Sequence, residues 1–233
     1  MLTWRPSCPA AAAPCSTPLL WAVKCSRHAV AALLLACRGV DLNAADQYGV
    51  SPLICAAKLG DDHMMGLLLA ASRSASAGSG CPHAAGSSRG GGAPLDINAA
   101  DQHGSTALIW AARMGSRPCL QLLLGHPGVD ANACSDTGLT ALHAAAVKDA
   151  GLIDNVQLLL QHGASLDAAD QHGQTVLCLA VKRSNNQLVQ LLWRWQQAQL
   201  LQLQAEVAQW RAMPAALAES IALFAGQVPR QQR

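Results

Sequence analysis

Nine cysteines and eight histidines supply, by type alone, the makings of a thiolate–imidazole nucleophile or a zinc site, so their spacing comes first. The cysteines fall at 8, 15, 25, 37, 55, 81, 119, 134 and 178, odd in number and scattered, with no C-x-x-C pair. Cys55, Cys119 and Cys178 lie in stretches of small apolar residues, where a thiol packs as a small hydrophobe. Asp46, Asp101 and Asp170 each stand three residues before a glycine, one per repeated segment. Acid/base chemistry needs two carboxylates converging on one pocket. A short carboxylate before a tight-turn glycine suits the bonding of turn amides instead. There is no H-E-x-x-H, and Gly90 to Gly92 precede no helix that would cradle a phosphate. No catalytic residue, cofactor or metal ligand is expected.

The elements that position these residues are repeats. D-L-N-A-A-D-Q-Y-G at Asp41 to Gly49 returns as D-I-N-A-A-D-Q-H-G at Asp96 to Gly104, and in weaker form at Asp130 to Gly138 and Ser165 to Gly173. Two residues after each glycine comes Ser51, Thr106, Thr140 or Thr175, and Thr17 opens an equivalent unit upstream. Each begins a short helix: T-P-L-L-W-A-V, S-P-L-I-C-A-A, T-A-L-I-W-A-A, T-A-L-H-A-A-A and T-V-L-C-L-A-V. A hydroxyl at the start accepts an orphan amide, and proline just inside is tolerated. A leucine pair then marks a second helix in every unit: Leu33-Leu34, Leu67-Leu68, Leu122-Leu123, Leu158-Leu159 and Leu191-Leu192.

Five such motifs in register resemble the ankyrin repeat family, whose unit of about 33 residues carries T-P-L-H-x-A, two antiparallel helices and a turn. The likeness spans Thr17 to Trp193. It implies an all-α helical solenoid of about five repeats. The motif histidine survives only as His143, with Leu20, Ile54, Ile109 and Cys178 in its place, which weakens one interhelical hydrogen bond per repeat.

The expected organisation is a disordered tail over 1–16, a repeat array over 17–193 and a C-terminal helical cap or extension over 194–233. Between Leu69 and Asp96 about twenty-one extra residues are inserted, rich in Ser, Gly and Ala, and 72–95 is read as a disordered loop. Ser72, Ser74, Ser87 and Ser88 beside Arg73 and Arg89 are candidate phosphorylation sites, with an idle loop the plainer reading. Leu188 to Ala212 reads as one long helix with Leu200, Leu203, Val207 and Trp210 on one stripe, ended by Pro214. A shorter helix with Leu217, Ile221 and Phe224 follows, and the pair is expected to cover the open end of the array.

Composition agrees with helices. Of 233 residues 51% are hydrophobic but only 3% aromatic and 13% charged, so the apolar content is mostly Ala and Leu. A net charge of +2 without a basic run argues against nucleic acid. No apolar run is long enough to span a bilayer. The unpaired cysteine pattern points to cytoplasm or nucleus. Arg5, Lys24, Arg27 and Arg38 with no acid before Asp41 resemble a transit composition, which leaves organelle import as the alternative.

The resemblance implies a protein-binding adaptor or scaffold, expected as a monomer, that engages its partner through a concave groove of turn tips and first helices. Alternatives are a substrate-recruiting subunit of a larger complex, such as a ubiquitin ligase, and a regulatory fragment of an enzyme. The tips should present Gln47, Tyr48, Val50, Gln102, His103, Ser105, Leu139, Gln171, His172 and Gln174. Counting the opening Thr or Ser as zero, positions two, five and six of each first helix form the core face, while four and seven lie opposite. Those opposite positions hold Trp21 and Trp110, and Lys24, Lys58, Arg113 and Lys182, with Lys148 one residue late. A basic ladder with two tryptophans is the expected surface, suited to an acidic segment, although a cation in a last helical turn is also favoured by the helix dipole.

Overall fold

The computed structural model describes residues 17–37, 40–77, 94–147 and 153–211. They hold ten helices, a first and a second in each of five successive units. The first helices are α1 (Pro18–Lys24), α3 (Pro52–Leu59), α5 (Ala107–Met114), α7 (Ala141–Val147) and α9 (Val176–Lys182), and the second are α2 (His28–Ala36), α4 (Asp62–Ala77), α6 (Arg117–Leu124), α8 (Ile153–Gln161) and α10 (Asn186–Arg211). No β-strand occurs among the described residues, only single bridges closing the turns, as between Ala100 and Thr106. The chain divides into Met1–Leu188 and Val189–Arg233.

Local chemistry starts each first helix. The hydroxyls of Thr17, Ser51 and Thr106 accept the amides of Leu20 (3.3 Å), Ile54 (3.3 Å) and Ile109 (3.4 Å), with Pro18 and Pro52 at first-turn positions that need no donor. Thr175 departs from the expected cap: its hydroxyl donates to Cys178 Sγ at 3.5 Å. α3 and α5 end on Gly60 and Gly115 in the left-handed conformation, each amide returning to the last carbonyls of its helix.

Within Met1–Leu188 the helices make two layers. α1, α3, α5, α7 and α9 pack each against the next, and α2, α4, α6 and α8 do the same behind them. Each element touches only its neighbours along the array. The core between the layers is aliphatic, with Leu53, Ile54, Met64, Met65, Leu68, Leu120, Leu123, Leu142 and Leu159 all fully buried. Each such side chain contributes roughly 1.5–3 kcal/mol by leaving water. In α1, α3 and α5 position three is buried as well as two, five and six, because Leu20, Ile54 and Ile109 sit where the family motif has histidine, whereas in α9 Val181 at position six is exposed.

Two sequence expectations need correction. The loop assigned to 72–95 starts too early: α4 continues to Ala77, with the Ser72 hydroxyl donating to the Leu69 carbonyl at 2.7 Å. Alanines at 70, 71, 75 and 77 carry the helix past the serines. Residues 78–93, including Ser87 and Ser88, lie outside the described part, as do the tail 1–16 and the second C-terminal helix. Cys178 is the other correction, being exposed rather than packed inside its repeat. In the 189–233 unit the described helix leaves Leu200, Leu201 and Leu203 exposed.

Candidate functional site

Each turn is built around its aspartate. Asp46 Oδ1 accepts the amides of Tyr48 (2.9 Å) and Val50 (3.0 Å), Asp101 Oδ1 those of His103 and Ser105 (both 3.0 Å), and Asp170 Oδ1 those of His172 and Gln174 (both 2.8 Å). In the fourth unit Ser135 does the same work more weakly, its Oγ accepting Leu139 N–H at 3.2 Å and pairing with Thr137 Oγ1 at 2.8 Å. Successive tips are joined by their backbones: the amides of Gln102, Asp136 and Gln171 donate to the carbonyls of Tyr48, His103 and Thr137 at 3.0, 3.1 and 3.0 Å. Gly104 shows how close they run, since a Cβ there would meet Asp136 Oδ1 at 2.6 Å, on a backbone already at φ +69°.

The turn pattern hides a further device at its third position. The Asn43 amide group donates to the Pro94 carbonyl (2.8 Å) and accepts Asp96 N–H (2.8 Å). Asn98 makes the same clip to Gly128 and Asp130, and Asn132 to Gly163 and Ser165. Sequence reading does not find these asparagines, although D-x-N recurring in three turns is the available signal.

The second oxygens of Asp46 and Asp101 face the preceding first helix. Lys24 Nζ lies 3.0 Å from Asp46 Oδ2, and Lys58 Nζ lies 3.3 Å from Asp101 Oδ2. Trp110 Nε1 donates to the same Asp101 oxygen at 2.9 Å. Lys58 stands over the Trp110 ring at 4.1 Å, and Arg113 lies 5.2 Å from the ring centroid. The indole is thus fixed between two cations, a favourable use of its quadrupole. Burial pushes the Asp101 carboxyl up, but the amides of His103 and Ser105, the indole N–H and the Lys58 ammonium outweigh it and hold it below the ordinary carboxylate value. Asp46 is lowered in the same way, against burial, by the amides of Val50 and Tyr48 and by Lys24.

The expected surface residues therefore divide. Trp21 and Tyr48 are exposed, at 38% and 52%, Trp110 is half-buried, and His103 and His172 are exposed with each ring nitrogen 3.1 Å from the neighbouring glutamine. Lys24 and Lys58 belong to the ion pairs above rather than to a free ladder, whereas Arg113 and Lys182 are exposed with no carboxylate partner among the described residues. Lys148 lies outside the described residues. Val50 and Ser105, expected at the tips, are buried. The spacing of 22 residues between Lys24 and Asp46 is the sequence signal for the pairing.

His143 is fully buried, its Nδ1 2.9 Å from Thr140 Oγ1 and its Nε2 3.1 Å from the Gln174 carbonyl, so it stitches the fourth unit to the fifth. On the second-helix side His28 Nε2 meets Asp61 Oδ2 at 2.6 Å and Arg117 meets Asp154 at 2.6 Å, again between successive units. Burial pushes the Cys55 thiol up to about 11, which leaves it an inert packing group. Among the described residues no cluster of His, Cys, Asp and Glu fits a metal ion, and no helix is long and apolar enough to cross a membrane.

Comparison with known proteins matches the same units. The family model for ankyrin repeats in three copies covers residues 93–170 and 119–202, and the single ankyrin repeat model covers 16–47. The pair α3 and α4, between those stretches, has the same architecture. The B-cell lymphoma 3 protein homolog of Mus musculus is 40% identical over 106 residues, covering 44% of this chain and 22% of that protein. The putative ankyrin repeat protein YahD of Escherichia coli (strain K12) is 36% identical over 100 residues, 42% of this chain and 50% of its own length. The nuclear factor NF-kappa-B p105 subunit of Mus musculus is 33% identical over 159 residues, 66% of this chain but 14% of that one. The matched part is thus half or less of each relative's own length. With a first and a second helix in each of five units, aspartate-anchored turns and family models matching most of the array, the chain belongs to the ankyrin repeat family.

Proposed function

We propose that the chain is an adaptor or scaffold that binds another protein across the face made by its turn tips and first helices. Ankyrin repeats are as a class protein-interaction modules, and relatives that share the repeat support that class here. The observation that carries the reading is the Lys58, Trp110, Arg113 and Asp101 cluster, an aromatic ring locked in place between cations on that face. A ring already fixed loses little freedom on binding, and Trp and Arg are the side chains on which interface energy concentrates. The tip aromatic Tyr48 extends the same surface. The contact is one of binding, without chemistry.

The test is affinity capture on the full chain, with the recovered partner then titrated against variants. Tyr48→Ala and Arg113→Glu should each weaken binding several-fold without lowering the melting temperature. Gln121→Glu, on the exposed side of α6, should bind as the parent does. Affinity that survives both first changes, or falls only with Gln121→Glu, would move the interface off this face.

A further inference from the structure

The cations on the first-helix face are not equivalent, and the difference lies in one residue of the turn. Lys24 finds Asp46 22 residues on, at 3.0 Å. Lys58 finds Asp101 across the longer connection, at 3.3 Å. Arg113 stands in the same position of the third unit, and the residue 22 on, which fills the aspartate place in the fourth turn, is Ser135. Its hydroxyl anchors the turn as the first carboxylate oxygen does elsewhere, through Leu139 N–H, but nothing replaces the second oxygen. The neighbouring carboxylate does not substitute for it. Asp136 is turned to the tip of the preceding unit, its Oδ1 only 2.6 Å from where a Cβ on Gly104 would sit.

What remains is an exposed guanidinium against the Trp110 ring, at 5.2 Å, with no carboxylate partner among the described residues. The indole N–H is already given to Asp101, and Lys58 already holds that same carboxylate. Arg113 is therefore the cation of this cluster with its planar fork still open, and a guanidinium fork matches a carboxylate in two parallel hydrogen bonds.

We infer that the junction of the third and fourth units is the acceptor for an acidic side chain of the partner protein, an Asp or Glu received by Arg113 in the place left by Ser135. The inference rests on the proposed binding face and names where on it the charge is read. Charge complementarity fixes the occupant: this junction has the register and the cationic neighbour that Asp46 and Asp101 satisfy from within the chain.

Random short peptides displayed on phage and selected on the full chain test this directly, the peptide library standing in for the partner. The parent should enrich peptides with an Asp or Glu at one fixed position. The affinity of the best of them should fall about tenfold or more in Arg113→Gln, the loss expected for a charge-assisted bidentate contact. Ser135→Asp should weaken it similarly while leaving the melting temperature unchanged or raised, because the chain then fills its own acceptor. Ser135→Asn, which keeps a turn acceptor without charge, and Lys24→Gln should bind as the parent. Enriched peptides whose acidic preference persists in Arg113→Gln and Ser135→Asp would overturn the assignment and leave the binding face standing. A selection that enriches nothing over a Tyr48→Ala, Trp110→Ala control would overturn the face and the assignment together.

Discussion

The junction between the second and third units closes around a buried carboxylate, and the next junction along is held by a hydroxyl. At the first, Asp101 receives two turn amides, an indole N–H and an ammonium, its side chain only 1% exposed. At the second, Ser135 receives one amide and pairs with a neighbouring hydroxyl. Both turns have the same backbone, with Gly104 and Gly138 at φ +69° and +71°. The comparison separates two tasks that one aspartate usually combines: shaping the turn needs a single acceptor, and holding the neighbouring helix needs a charge.

Removing that combined role gives the largest expected effect. Asp101→Ala leaves the amides of His103 and Ser105, the Trp110 indole and Lys58 without their acceptor, and should cost about 3 kcal/mol in urea unfolding. Asp101→Ser copies the fourth turn into the third and should recover roughly half of that loss, the remainder being the charge contribution. If serine were no better than alanine, the two tasks would not be separable.

Acid sharpens the same comparison. The folded Asp101 and Asp46 carboxyls lie below their ordinary value of 3.8, so the unfolded chain takes up protons first as pH falls. Their contribution is fully present at neutral pH and is lost as pH drops from that ordinary value through the folded one. Melting curves of the parent and of Asp101→Ser should therefore differ at neutral pH and draw together as the pH falls below 3.8. A constant gap would mean that the carboxylate acts through packing rather than charge.

His143→Ile is expected to cost less, about 1 kcal/mol. It removes the bond to the Gln174 carbonyl but supplies the aliphatic side chain that Ile54 and Ile109 place at that position. A loss as large as that of Asp101→Ala would show that the histidine stitch, not the turn carboxylate, dominates a junction. The smallest effect belongs to Tyr48→Ala, within about 0.5 kcal/mol of the parent by thermal melt. Its ring is half in solvent and its carbonyl, which the Gln102 amide uses, is untouched.

The fold is legible because its punctuation is local. Glycines two residues before Ser51, Thr106, Thr140 and Thr175, the equivalent motif at Thr17, and a leucine pair after each place the first and second helices of all five units, and the turn role of Asp46, Asp101 and Asp170 follows from a short carboxylate placed before a turn glycine. What one repeat does to the next is harder to read. The Lys24 and Lys58 pairings and the asparagine clips depend on contacts made across units, which helical periodicity within one unit does not report. Periodicity alone therefore presents the basic ladder as free. The early end assigned to α4 has a different cause, since serine and glycine content marks a loop where interspersed alanines still sustain a helix.

The asparagine clips and tip-to-tip amide bonds bind each turn only to the adjacent turn, so the array behaves as a row of coupled switches in which an inner unit has two couplings and an end unit one. Opening should then run inward from the ends, and amide exchange should be slowest in the middle units and faster toward either terminus. Where Ser135 replaces an aspartate the ion pair is missing, but the Asn98 clip and the Asp136 amide still couple the two turns. Under mild denaturant the end units are therefore expected to melt while the middle of the row still holds.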